Sequence, residues 1–149
     1  MSAIVGFIGN NAPTSLISKK DYNSDSFWTD QFCTIGYHQL NSGNNQPTQS
    51  KCGRFVIVFD GSIFNKTELI DEIKKNKSNC NLSSDAEIAI EAFSLWKEQM
   101  TDRINGVFAI AIYDLSTKKT YLLRDRIGIK PLFYCHYDNH FVFTSELKA

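Results

Sequence analysis

Two apolar segments constrain this chain most. Arg54-Phe55-Val56-Ile57-Val58-Phe59 and Val107-Phe108-Ala109-Ile110-Ala111-Ile112-Tyr113 are continuous rather than alternating. A strand with one wet face alternates apolar and polar residues. A continuous β-branched and aromatic run bounded by glycine, as the first is by Gly53 and Gly61, reads as a strand covered on both faces. Such strands need a layer on either side, so layered sheets are expected.

The remaining elements fit around these two. Ile4 to Ile8 reads as a first strand ending at Gly9-Asn10-Asn11, and Phe32 to Tyr37 as a short second one. The stretches Ala12–Asp30 and Asn41–Lys51 are rich in Ser, Asn, Asp and Lys and read as irregular chain. Asn65 to Lys75 reads as a helix with Leu69, Ile70 and Ile73 on one side. Ser84-Asp85-Ala86-Glu87 has the form of a capping box. Ile88, Ala92, Leu95 and Trp96 then mark one face of an amphipathic helix of about 13 residues. Lys119 to Leu123 returns across the turn at 114–118, and Leu132–Tyr137 pairs with Phe141–Thr144 across Asp138-Asn139. Strands, then two adjacent helices, then hairpins is the order of an α+β fold, not of a doubly wound parallel sheet.

At 149 residues the chain is read as one domain over 1–149. Its 42% hydrophobic and 13% aromatic content excludes a disordered chain. Sixteen basic and sixteen acidic residues balance, which removes any default attraction to nucleic acid or anionic membrane. No apolar run approaches the ~20 residues of a membrane span, and the N-terminus lacks a basic signal-peptide region, so a cytoplasmic location is expected. Cys33, Cys52, Cys80 and Cys135 show no C-x-x-C spacing and read as free thiols, mostly small buried hydrophobes. His38, His136 and His140 show no ligand spacing either, so neither a metal nor a cofactor is expected in this domain. Arg124-Asp125-Arg126 and Lys130 put four charges in one turn between hydrophobic strands. They form either a solvated loop with weak ion pairs or a rigid turn that positions a neighbouring surface.

A series of motifs in fixed order runs through nearly the whole chain. They are Ile4-Val5-Gly6-Phe7, Gly36-Tyr37-His38-Gln39-Leu40 with Gln46-Pro47, and Asp60-Gly61-Ser62-Ile63-Phe64-Asn65 with Glu68-Leu69. Ser84-Asp85-Ala86-Glu87, Asn105-Gly106-Val107-Phe108-Ala109, the turn Arg124 to Tyr134, and Ser145-Glu146-Leu147-Lys148-Ala149 follow. This series resembles the class-II glutamine amidotransferase domain of the asparagine synthetase type, an N-terminal-nucleophile hydrolase. The resemblance implies a four-layer αββα sandwich of two antiparallel sheets. It also implies a nucleophile exposed by removal of the initiator Met, whose own α-amine serves as base. An Asn side chain and a Gly amide form the oxyanion hole, an Arg holds the glutamine carboxylate, and released ammonia passes to an ATP-dependent synthetase.

This sequence departs from the family where the chemistry sits. The nucleophile position carries Ser2, followed by Ala3. Asp60 replaces the oxyanion-hole Asn, leaving the Gly61 amide. An ionised carboxylate cannot donate a hydrogen bond, and losing one such donor costs ~2.7–4 kcal/mol of transition-state stabilisation. Ser62 replaces an acidic residue and Gln39 stands at the Arg clamp, without its charge or its fork. Asp85 is the retained pocket acid.

The expected reading is a domain that has lost its glutaminase residues but supports or docks an ATP-dependent amide-forming synthetase, as a domain or a subunit. Its docking surface is placed at Arg124, Asp125, Lys130, Glu146 and Lys148. ATP and Mg are then expected only in that partner; a homodimer is left open. The segment corresponds either to an N-terminal domain of a longer protein or to a separate subunit. Two alternatives stand beside it. One is an active glutamine amidotransferase using Ser2 as nucleophile. The other is a small-molecule binding module in a concavity lined by Ser2, Asp60, Ser62 and Asp85.

Overall fold

The computed structural model describes residues 2–10, 27–39 and 45–147. Two antiparallel sheets lie face to face. The first contains β1 (Ser2–Ile8), β2 (Phe27–Thr29), β3 (Cys33–Gln39), β8 (Phe133–Tyr137) and β9 (His140–Thr144), in the order β2-β3-β1-β9-β8. The second contains β4 (Thr48–Gln49), β5 (Phe55–Ile63), β6 (Gly106–Asp114) and β7 (Lys119–Arg124), in chain order. Helices α1 (Lys66–Asn76) and α2 (Asp85–Trp96) cover the outer face of the second sheet. Among the described residues this is the helix layer of the sandwich, and no helix there is long and apolar enough to cross a membrane.

The two continuous apolar runs are the central strands of the second sheet and explain the layering. Phe55, Ile57, Phe59 and Ile63 of β5, with Phe108, Ile110 and Ile112 of β6, meet Leu69, Ile73, Ile88 and Phe93 of the helices. The alternate residues, Val56 and Val58 with Ala109, Ala111 and Tyr113, meet Ile4, Cys33, Ile35, Tyr37 and Phe143 of the first sheet. Both faces of each strand therefore leave water, which is why neither run alternates.

Strand β5 continues beyond the run that the sequence marks, through Asp60, Gly61 and Ser62 to Ile63. Gly61 makes this possible. Its φ is +144°, and a Cβ there would lie 2.0 Å from the Val107 carbonyl oxygen. Just upstream, the buried Gln46 amide clasps one residue of the same strand. Its Nε2 donates to the Phe59 carbonyl at 3.0 Å and its Oε1 accepts from the Phe59 N–H at 2.6 Å.

Three expectations need correction. Strands β2 and β4 lie in stretches read as irregular; each pairs with the strand that follows it, and Phe27-Trp28-Thr29 of β2 are themselves strand-favouring residues. Helix α2 begins with its capping box, but it is buried nearly all round from Ala86 to Phe93, while Leu95 and Trp96 are only partly covered. Its buried Glu91 is met by the Lys77 Nζ at 2.8 Å and the Lys51 N–H at 2.9 Å. All four cysteines are free, yet only Cys33 is buried, and Cys52 and Cys135 are exposed.

Candidate active site

The described site forms where β1 and β5 face each other at one end of the sandwich. Ser2 and Ile4 share the inner face of β1, and Asp60 continues the Val56–Val58 face of β5. The Ser2 Oγ donates a hydrogen bond to Asp60 Oδ1 across the gap. The Asp60 side chain is 3% exposed. The Lys130 Nζ reaches the same Oδ1 at 3.0 Å from the turn after β7. Ser2, Asp60 and Lys130 thus converge on one carboxylate oxygen.

The start of β1 is fixed from both sides. Ser2 pairs with Gln39 of β3, and the Ser145 Oγ and carbonyl-seeking N–H clasp the Ile4 N–H and C=O at 2.8 and 2.9 Å. The Gln39 Oε1 accepts from the Tyr37 hydroxyl at 3.3 Å.

The turn that delivers Lys130 is built on Asp125. Its Oδ1 accepts from the N–H groups of Gly128 and Ile129 at 2.7 and 3.1 Å. Its Oδ2 accepts from Phe108 and Lys130, each at 3.2 Å. Burial works against the Asp125 charge, but these backbone donors outweigh it and hold the carboxyl below its ordinary range.

Two other expected site residues, Gly61 and Asp85, border a cavity. This cavity, of about 420 Å³, is lined by Tyr37, Gln46, Phe59, Gly61 and the Ser83–Glu87 start of α2. Asp85 borders it, but both its oxygens are engaged. Oδ2 accepts from the Ile63 N–H at 3.0 Å, and Oδ1 pairs with Lys66 Nζ at 2.8 Å. Of the residues expected to line one concavity, Asp85 borders this cavity, together with Gly61 next to Asp60, while Ser2 and Asp60 contact each other and Ser62 is exposed.

The expected docking surface also changes. Asp125 is 7% exposed and spends its carboxylate on the backbone, so it offers nothing to a partner. Lys130 turns inward to Asp60 rather than outward. Arg124 is exposed, Glu146 is half-buried, and Lys148 lies outside the described residues. The sequence held no signal for the Lys130–Asp60 pair. A buried acid demands a cation, but the two are 70 residues apart and 16 cations were available.

Two facing antiparallel sheets whose N-terminal strand brings residue 2 into the gap define the fold of the N-terminal-nucleophile amidotransferases. The solved structure of glutamine phosphoribosylpyrophosphate amidotransferase from B. subtilis matches it with a TM-score of 0.72 over 96% of this chain and 41% of that one, at 16% identity. The family model for the glutamine amidotransferase domain matches residues 1–149. Asparagine synthetase [glutamine-hydrolyzing] 3 of Bacillus subtilis is 29% identical over 142 residues, 91% of this chain and 23% of that protein. Asparagine synthetase [glutamine-hydrolyzing] 2 of the same organism is 32% identical over 87% of this chain and 17% of its own length. A putative asparagine synthetase of Methanocaldococcus jannaschii is 38% identical over 70% of this chain and 18% of its own length. The chain belongs to the glutamine amidotransferase domain family, of the asparagine-synthetase type, and spans less than a quarter of the length of these relatives.

Proposed function

We propose that this domain keeps the amidotransferase fold without the glutaminase reaction, and that it supports an ATP-dependent amide-forming synthetase domain or subunit. One observation carries the reading: the Ser2 hydroxyl hydrogen-bonds to a buried carboxylate at the position that would have to donate to an oxyanion. A carboxylate is acceptor-only. It offers the developing oxyanion repulsion where a donor would be worth ~2.7–4 kcal/mol. Lys130 offsets part of that charge, but its ammonium contacts the carboxylate oxygen itself. The synthetase partner is supported by the relatives, which are named as glutamine-hydrolysing asparagine synthetases and are more than four times as long as their matched segment. ATP and Mg belong, on this reading, to that partner.

A second reading is favoured by the same hydrogen bond. A carboxylate that accepts from a serine hydroxyl is placed to take its proton, as a base for an active Ser2 would be. The Lys130 ammonium already holds the same oxygen at 3.0 Å, which favours the first reading.

Ammonia release from glutamine decides between them. The purified chain and its Ser2→Ala variant should release ammonia at the same background rate. Release by the wild-type chain that disappears in the variant overturns the first reading and establishes Ser2 as a nucleophile.

A further inference from the structure

An open groove of about 620 Å³ runs between the turn after β7 and the segment that joins β5 to α1. Three apolar side chains along it stand in water: Phe64 is 64% exposed, Ile127 84% and Ile129 60%. Single exposed apolar residues are ordinary, but three around one groove mark a surface that another surface covers. Their backbone is already fixed. The Phe64 N–H donates to the Asn105 carbonyl at 2.7 Å, and Asp125 holds the N–H groups of Gly128 and Ile129. Little ordering is left for a partner to impose.

The groove also holds an arginine without an acid. The Arg124 guanidinium lies against Gly128: a Cβ there would sit 2.3 Å from its Nη2 and 2.7 Å from its Cζ. Gly128, at φ +72°, thus serves both the turn and the arginine packed on it. Among the described residues no carboxylate or carbonyl meets Arg124. The two acids that line the groove are engaged elsewhere. Asp102 pairs with Arg126 at 3.3 Å, and Asp125 accepts from four backbone N–H groups. A guanidinium held in place with its fork unfilled is preorganised for a carboxylate.

We infer that this groove seats an acidic segment of the synthetase, with a carboxylate on Arg124 and apolar side chains against Phe64, Ile127 and Ile129. The inference rests on the reading above that a synthetase accompanies this domain. Two observations favour a protein segment over a small carboxylate. A small ligand is enclosed, with ~70–90% of its surface buried. Here the apolar walls stand mostly in water, and covering all three takes a surface that reaches past the groove. The relatives contain such a surface, since more than three-quarters of their length lies outside the matched domain.

The test takes the natural protein from its own locus, with any synthetase that the locus encodes, and places a photoreactive benzophenone residue at position 127. Irradiation should join that position to an ATP-binding synthetase segment, in the same chain or in a copurified subunit. Peptide mass should place the adduct beside an Asp or Glu. Arg124→Glu should cut the yield about tenfold or more, as reversing one desolvated charge does, with unchanged circular dichroism. Arg124→Gln, the milder change, should lower it in the same direction. A synthetase that is present but does not join to position 127, or joins as well in both folded variants, overturns the inference and leaves the supporting role standing. Adducts to a second copy of this domain or to an unrelated protein also overturn it. A locus and a purified protein without a synthetase overturn the supporting role itself, and the inference with it.

Discussion

At the scale of the residue, the Asp60–Lys130 pair has two unequal members. The Asp60 side chain is 3% exposed and that of Lys130 31%. Removing the lysine strands a buried carboxylate whose other recorded partner is the Ser2 hydroxyl. Removing the carboxylate charge leaves an ammonium that can swing its stem toward water. Breaking a fully buried pair costs ~3–5 kcal/mol, and the partial exposure of Lys130 lowers that figure. Lys130→Met is therefore expected to destabilise the fold by ~2–4 kcal/mol, and Asp60→Asn by about 1 kcal/mol or less, since the amide still accepts from Ser2 and has lost a costly charge. Urea unfolding of the two variants reads the difference. Equal losses would mean that the pair is no more than a surface contact.

At the scale of the element, the turn from Arg124 to Lys130 is held by one side chain. Asp125 accepts from four backbone N–H groups of the chain, two on each oxygen. Asparagine can replace only one of those oxygens and would aim its amide hydrogens at N–H donors. Asp125→Asn should cost ~1–3 kcal/mol and speed hydrogen exchange at Gly128, Ile129 and Lys130 before the rest of β7. Uniform exchange across β6 and β7 would place the anchor elsewhere. This turn also shows where the sequence stops being legible. Its charges were plain, but they suggested an outward surface, because nothing in a linear pattern tells a carboxylate that folds back onto four amides from one that faces water. Strands β5 and β6 were legible because continuous burial on two faces leaves a continuous apolar run. Strands β2 and β4, three and two residues long, were not, because each is too short to show a periodicity and lies in a stretch otherwise rich in polar turn residues. The site residues Ser2, Asp60 and Gly61 were placed by resemblance; Lys130, Gln46 and Ser145, which fix them, were visible only once the sheets were assembled.

At the scale of the whole molecule, the ionisable groups set opposite limits on the pH range of the fold. On the acid side, Arg54 meets Asp114 with two hydrogen bonds, 2.9 Å to Oδ1 and 2.7 Å to Oδ2, and holds its carboxyl well below the usual range. Asp125 is held low by its backbone donors. At the start of α2, burial opposes the Glu87 charge, but donors from Ser83 and Ser84 prevail and lower its carboxyl too. A group depressed in the folded state contributes stability that is complete above its unfolded value, about 3.9 for aspartate and 4.3 for glutamate, and that is lost as pH falls through the folded value. On the alkaline side, burial, with Asp30 adding to it, pushes the Cys33 thiol up to about 12. A raised group contributes stability that is complete below its unfolded value of about 8.5 and is lost as pH rises toward the folded one. The melting temperature should therefore be nearly flat between about pH 4.5 and 8.5 and fall on either side. The two limbs have different owners, so they separate by mutation. Asp114→Asn should lower the plateau and flatten the acid limb while leaving the alkaline limb in place. Cys33→Ala should do the reverse. If Asp114→Asn left the acid limb as steep as before, the Arg54 pair would not govern it, and the half-exposed guanidinium would be contributing no more than an ordinary surface charge.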